Sequence, residues 1–142
     1  YDLRGAIFAM ACGAAARRVA DGTAPALVAR LRENLQQMRA VRAGEDARAY
    51  YDLNIAFHDM LMEGAGNPKA KTIYDNLVRE MHLFRRRGLS VASNIDRSIA
   101  EHAAIVDGVA SGDVDGARRA ADIHIAEGLA RYLSTLERAD GA

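Results

Sequence analysis

Apolar residues recur at every third or fourth position along most of this chain, and no stretch offers itself as a strand. That spacing lines one face of an α-helix, so the chain is restricted to packing helices against helices. Ala is the commonest residue and only two prolines occur, a composition that favours long helices over sheet. The 142 residues are read as one domain, 1–142, large enough to bury roughly two thirds of its unfolded surface.

Turn chemistry divides the pattern into six helices. The first covers residues 2–20, with Leu3, Ile7, Met10 and Ala14 on one face, and Asp21-Gly22 ends it. Thr23 is expected to cap the second, with Pro25 in its first turn; Val28, Leu31, Leu35 and Met38 then form a stripe ending near Gly44. The third, 45–63, carries Tyr50, Leu53, Phe57 and Leu61, and the Gly-Ala-Gly-Asn-Pro run at 64–68 is the clearest break. The fourth runs to about Arg87 with Ile73, Leu77, Met81 and Phe84 in a row. Residues 88–93 read as a loop, with Ser93 or Asn94 capping the fifth helix, whose stripe is Ile95, Ile99, His102, Val106 and Val109. Ser111-Gly112 ends that helix, and Asp113 caps a sixth to about Arg138, with Val114, Ala117, Ala121, His124 and Gly128 along its seam. Short connections imply antiparallel neighbours in a single all-α bundle.

Nineteen basic residues balance nineteen acidic ones, whereas a domain that binds nucleic acid by itself is usually clearly basic. Cys12 is the only cysteine, which excludes an intrachain disulfide and fits a reducing, cytoplasmic setting. Set among alanines, it reads as a small buried residue rather than a reactive thiol. The longest apolar run, 6–16, is about half of what a bilayer crossing requires. No signal-peptide pattern is present. The chain opens on Tyr1, within a stretch that already reads as helix, so a preceding N-terminal portion is expected.

Four polar residues fall on or beside the apolar stripes: Asn54 and His58, four apart on the third helix, His102 on the fifth and His124 on the sixth. Each buried polar group without a partner costs about 1–3 kcal/mol, against a net stability of roughly 5–15 kcal/mol. Something must satisfy them together, and a divalent metal does so: three imidazole nitrogens and an amide oxygen make a neutral ligand set. The metal's charge would remain uncompensated, and a small carboxylate is the natural occupant of any open coordination position. His82 lies off its helix's stripe and reads as a flanking residue. Arg85-Arg86-Arg87 ends a helix, where cations suit the dipole. Arg4 shares a face with Phe8 and Ala11; turned inward, its guanidinium would clamp a carboxylate.

These residues, in order, resemble the C-terminal effector-binding domain of FadR-like regulators in the GntR family. The marks are Arg4, Asn54-x-x-x-His58 with Phe57, Gly66-Asn67-Pro68, Ser98 ahead of Glu101-His102, Ser111-Gly112-Asp113, and His124. The resemblance implies an antiparallel bundle of six or seven helices around a cavity, with a metal on Asn54, His58, His102 and His124. Zinc is the first choice of metal, with nickel, manganese or iron as alternatives. It further implies a small organic acid beside the metal, held by Arg4 and Ser98, a homodimer, and operator DNA bound through a winged helix-turn-helix domain absent from this chain. Two positions depart from the family pattern: Asn54 stands where Asp is frequent, and Phe8 where Glu often follows the arginine.

The reading that follows is a ligand-sensing domain of a transcription regulator, not an enzyme. The alternatives are a metal-dependent helical hydrolase or lyase, and a structural dimer module with a buried histidine network. Against the enzyme, no carboxylate lies on the stripes beside the histidines, and Glu101 is turned about 100° from His102 around its helix.

Overall fold

The computed structural model describes residues 1–89 and 91–140, with the side chains of 83–85, 87, 88, 139 and 140 left aside. Six helices follow in order: α1 Asp2–Ala20, α2 Leu27–Ala43, α3 Ala47–Gly64, α4 Pro68–Gly88, α5 Ala92–Ala110 and α6 Val114–Asp140. No strand occurs among the described residues, and none of their helices is long and apolar enough to cross a membrane.

Helix α1 packs against α3, α4, α5 and α6, while α2 lies across α3 and α5. Being surrounded explains the composition of α1. Ala9, Ala11, Cys12, Gly13, Ala15 and Ala16 are all buried, and only such small side chains let neighbouring helices approach from several directions at once. Cys12 is fully buried, and the loss of solvation pushes its thiol pKa far up, which leaves it inert.

Local punctuation sets most boundaries. Asp113 accepts a hydrogen bond from the Gly116 N–H at 2.9 Å and Asn67 from the Ala70 N–H at 3.0 Å, so both cap the helices they precede. Asp46 does the same for α3. Gly112 takes φ +70° after the Ser111 C-cap, the left-handed stop that suits glycine.

Several expectations fail for tertiary reasons. On α1 the expected row lies at the margin of the core, with Leu3 58% exposed and Ile7, Met10 and Ala14 half-buried, and the buried row is Arg4, Phe8, Ala11, Cys12 and Ala15. On α4, Ile73 is 45% exposed, and Tyr74 and Val78 are buried instead. Both rows have helical spacing; the neighbouring helices decide between them. Phe84, Arg85 and Arg87 lie outside the described side chains, and Ser90 outside the described residues. Thr23 does not cap α2, which starts only at Leu27 after an Ala26 cap. Its hydroxyl instead donates to the Arg18 carbonyl at 3.2 Å, closing off α1. Neither Ser93 nor Asn94 caps α5; Val91 takes that place in extended conformation, without a side-chain bond.

Gly108 lies where α5 packs tightly against the start of α6. A Cβ there would lie 2.8 Å from the Ala117 nitrogen and 2.9 Å from its Cα, backbone atoms that cannot swing aside. Gly108→Ala is therefore expected to lower the unfolding free energy by about 1–3 kcal/mol, measured by urea denaturation. A loss below about 0.5 kcal/mol would mean that the two helices have slack at this crossing.

Candidate functional site

The four polar residues read from the helix stripes are all buried. Asn54 and His58 sit one turn apart on α3, His102 on α5 and His124 on α6, and the three histidines converge. His58 Nε2 lies 3.1 Å from His124 Nε2, and His102 Nε2 lies 3.3 Å from the same atom. One ligand atom from each falls within 4.8 Å of the others.

The outward-facing nitrogens are each engaged by a residue that the sequence reading did not place among the site residues. His124 Nδ1 donates to Glu101 Oε2 at 2.8 Å. His102 Nδ1 meets the Met38 sulfur at 3.3 Å, and His58 Nδ1 meets the Tyr74 hydroxyl at 2.9 Å. Carboxylate and thioether oxygen or sulfur atoms only accept hydrogen bonds, so His102 and His124 place their protons on Nδ1. Their Nε2 lone pairs then face each other across 3.3 Å. Such an arrangement is repulsive unless a cation or a donated proton lies between, and it matches the donor set that divalent metals take from imidazole.

Ring packing holds the imidazoles in place. Phe8 stacks on His58 with centroids 4.3 Å apart, and Phe57 stacks on His102 at 4.2 Å. Phe8, where the resemblance leads one to expect Glu, makes a stacking contact to a histidine.

Glu101 requires a correction. It is turned away from His102 on their shared helix, yet it reaches across to His124, because α6 packs beside α5. Its two oxygens also accept from both terminal nitrogens of Arg131, at 2.5 and 2.9 Å. A helical wheel shows what shares a face of one helix, not what an adjoining helix presents to it.

Arg4, Asn54, His58, Ser98, His124 and Arg131 line one cavity of about 30 Å³, room for about two or three waters. His102 is fully buried and lies behind this wall. Arg4 is only 4% exposed, and among the described residues no carboxylate pairs with it; its Nε has no hydrogen-bond partner. The Asn54 carbonyl oxygen is likewise buried and unsatisfied, while the Ser98 hydroxyl lies beside the Tyr50 hydroxyl. His82 stands apart, with its Nδ1 2.8 Å from the Tyr51 hydroxyl.

Fold and centre together define a class, an all-α bundle that gathers histidines from three helices around a buried polar cavity. Residues 1–127 match the model of the FCD domain, and the chain belongs to that family. It is also similar to a protein of Streptomyces ambofaciens described as an uncharacterized HTH-type transcriptional regulator in unstable DNA locus, with 35% identity over 103 residues. The match takes in 71% of this chain and 42% of that relative, so the chain spans less than half of the relative's length.

The Glu101–Arg131 pair is itself open to test. Removing one partner of a buried ion pair strands the other, at a cost of about 3–5 kcal/mol. Glu101→Ala is expected to lower stability by about 3 kcal/mol in urea unfolding, and adding Arg131→Met is expected to restore part of that loss. If the double variant is no more stable than the single one, the stranded guanidinium is not the source of the cost.

Proposed function

We propose that this chain is the ligand-sensing domain of a transcription regulator, holding a divalent metal and a small carboxylate in the cavity beside Arg4. In this reading Asn54, His58, His102 and His124 hold the metal, Arg4 takes the carboxylate and Ser98 contributes a hydrogen bond. Zinc is the first candidate, since it accepts imidazole and amide donors readily, with nickel, manganese or iron as alternatives. The metal would supply a fixed positive centre for the acid. An attached helix-turn-helix domain, as the name of the Streptomyces relative suggests, would contact operator DNA, and a homodimer would present two such domains.

The observation that carries the reading is Arg4. A guanidinium buried to 4% exposure without an acidic partner among the described residues is costly unless an anion joins it. It lines the same cavity as the unsatisfied Asn54 oxygen and His124, so one small ligand can address these groups together. The cavity's size favours an acid of few carbons. Catalysis is the weaker reading, because the carboxylate nearest the histidines, Glu101, is held by both Arg131 and His124 and is not poised as a general base.

Elemental analysis of the purified chain, joined to thermal melts with small carboxylic acids, tests this. We expect bound metal in the wild type and its loss in His102→Ala. An acid at a hundred times its Kd should stabilise by about 2.7 kcal/mol. Arg4→Met should retain the metal, abolish the acid's effect, and leave the acid-free protein at least as stable, since a buried unpaired charge is removed. A wild type that carries no metal and responds to no acid overturns the proposal.

A further inference from the structure

Tyr74 touches both halves of the centre with different parts of one side chain. Its hydroxyl lies 2.9 Å from His58 Nδ1. Its ring centroid lies 5.9 Å from the Arg4 guanidinium carbon, within cation–π reach. The residue is fully buried, and its ring also packs against Phe8 at 5.9 Å, so neither contact is an accident of a loose surface side chain.

The two contacts do separate work. A hydroxyl that accepts from His58 Nδ1–H leaves the Nε2 lone pair directed at His124, as cation binding requires. The ring face offers its negative quadrupole to a guanidinium that has lost water and gained no carboxylate. The Tyr1 ring lies 5.8 Å from the same guanidinium carbon, so Tyr74 shares with it the attraction that holds Arg4 at the cavity before any anion arrives. Phenylalanine in this place would keep the second role and lose the first; leucine would lose both.

We propose that Tyr74 is a positioning residue for both the cation-holding and the anion-holding halves of the site, its hydroxyl orienting His58 and its ring helping to hold Arg4. The inference rests on the metal-and-carboxylate reading given above and assigns that site a residue which neither helix spacing nor ligand chemistry singles out.

Zinc and acetate serve as probes on the full chain, with zinc affinity read by chelator competition and acetate affinity by NMR titration at saturating zinc. Tyr74→Phe is expected to weaken zinc by about tenfold or more while acetate affinity stays within about twofold of the wild type. Tyr74→Leu is expected to weaken both, acetate by about fivefold. Circular dichroism and urea melts establish that both variants are folded, and the phenylalanine variant keeps the ring packing in any case. Wild-type zinc affinity in Tyr74→Phe, or wild-type acetate affinity in Tyr74→Leu, overturns the assignment of Tyr74 alone. Failure of the wild type itself to take up zinc overturns the underlying reading, so the two failures are told apart by which protein shows them.

Discussion

Imidazole nitrogens that face one another at 3.1 and 3.3 Å in the middle of a helical bundle impose a demand that the surrounding helices are arranged to meet. The rings are buried there, so each ring edge turned away from the centre needs a hydrogen-bond partner. The partners come from other helices or from residues a turn or more away. Met38 of α2 serves His102, Tyr74 of α4 serves His58, and Glu101 of α5 with Arg131 of α6 serves His124. Helix α1 adds Phe8 against His58. All six helices therefore meet at the centre, and its geometry is a consequence of the whole bundle rather than of one motif.

Helix α1 makes this convergence sterically feasible. A helix enclosed on several sides can present only small residues along most of its length, and the run of Ala, Cys and Gly supplies them. Against that background Arg4 and Phe8 are the two large buried side chains of α1, and both are directed at the histidine centre or its cavity. Arg4 is buried with its Nε unpartnered, and desolvating a charged group costs free energy. A large residue whose burial costs free energy, kept beside unsatisfied polar atoms, is the pattern expected where a site is tuned for a ligand at the expense of the fold.

The parts of this architecture that depend on local chemistry were legible in the sequence. Asp113, Gly112 and the Asp21-Gly22 stop act within a few residues of themselves, and their roles hold in the structure. Asn54, His58, His102 and His124 stood out because polar residues interrupted apolar rows, and all four are buried. Competition between equivalent rows was not legible. Leu3-Ile7-Met10 and Arg4-Phe8-Ala11 on α1 both fit the helical period, as do Ile73-Leu77 and Tyr74-Val78 on α4, and only the neighbouring helices choose. In both cases the row with the more polar members is the buried one, because Arg4 and Tyr74 reach the centre. Met38 was read only as a stripe residue and Glu101 only as turned away from His102, because each contact with a histidine crosses between helices and no single-helix pattern contains it.

Charge gives the proposed site its direction. Asn54, His58, His102 and His124 are all neutral donors, so a divalent cation placed on them keeps its full charge. Arg4 adds another positive charge at the cavity wall. Glu101 accepts a hydrogen bond from His124, and its charge is matched by Arg131 through two further hydrogen bonds. Neither these four donors nor the Arg131-paired Glu101 therefore compensates a metal and Arg4 together, and low dielectric makes that imbalance expensive. An aspartate in place of Asn54 would remove part of it and hold a metal more firmly without help. With asparagine there, compensation has to arrive from outside as an anion, and the stability of the loaded centre becomes a function of the anion's concentration, which is the property a sensor of small acids requires.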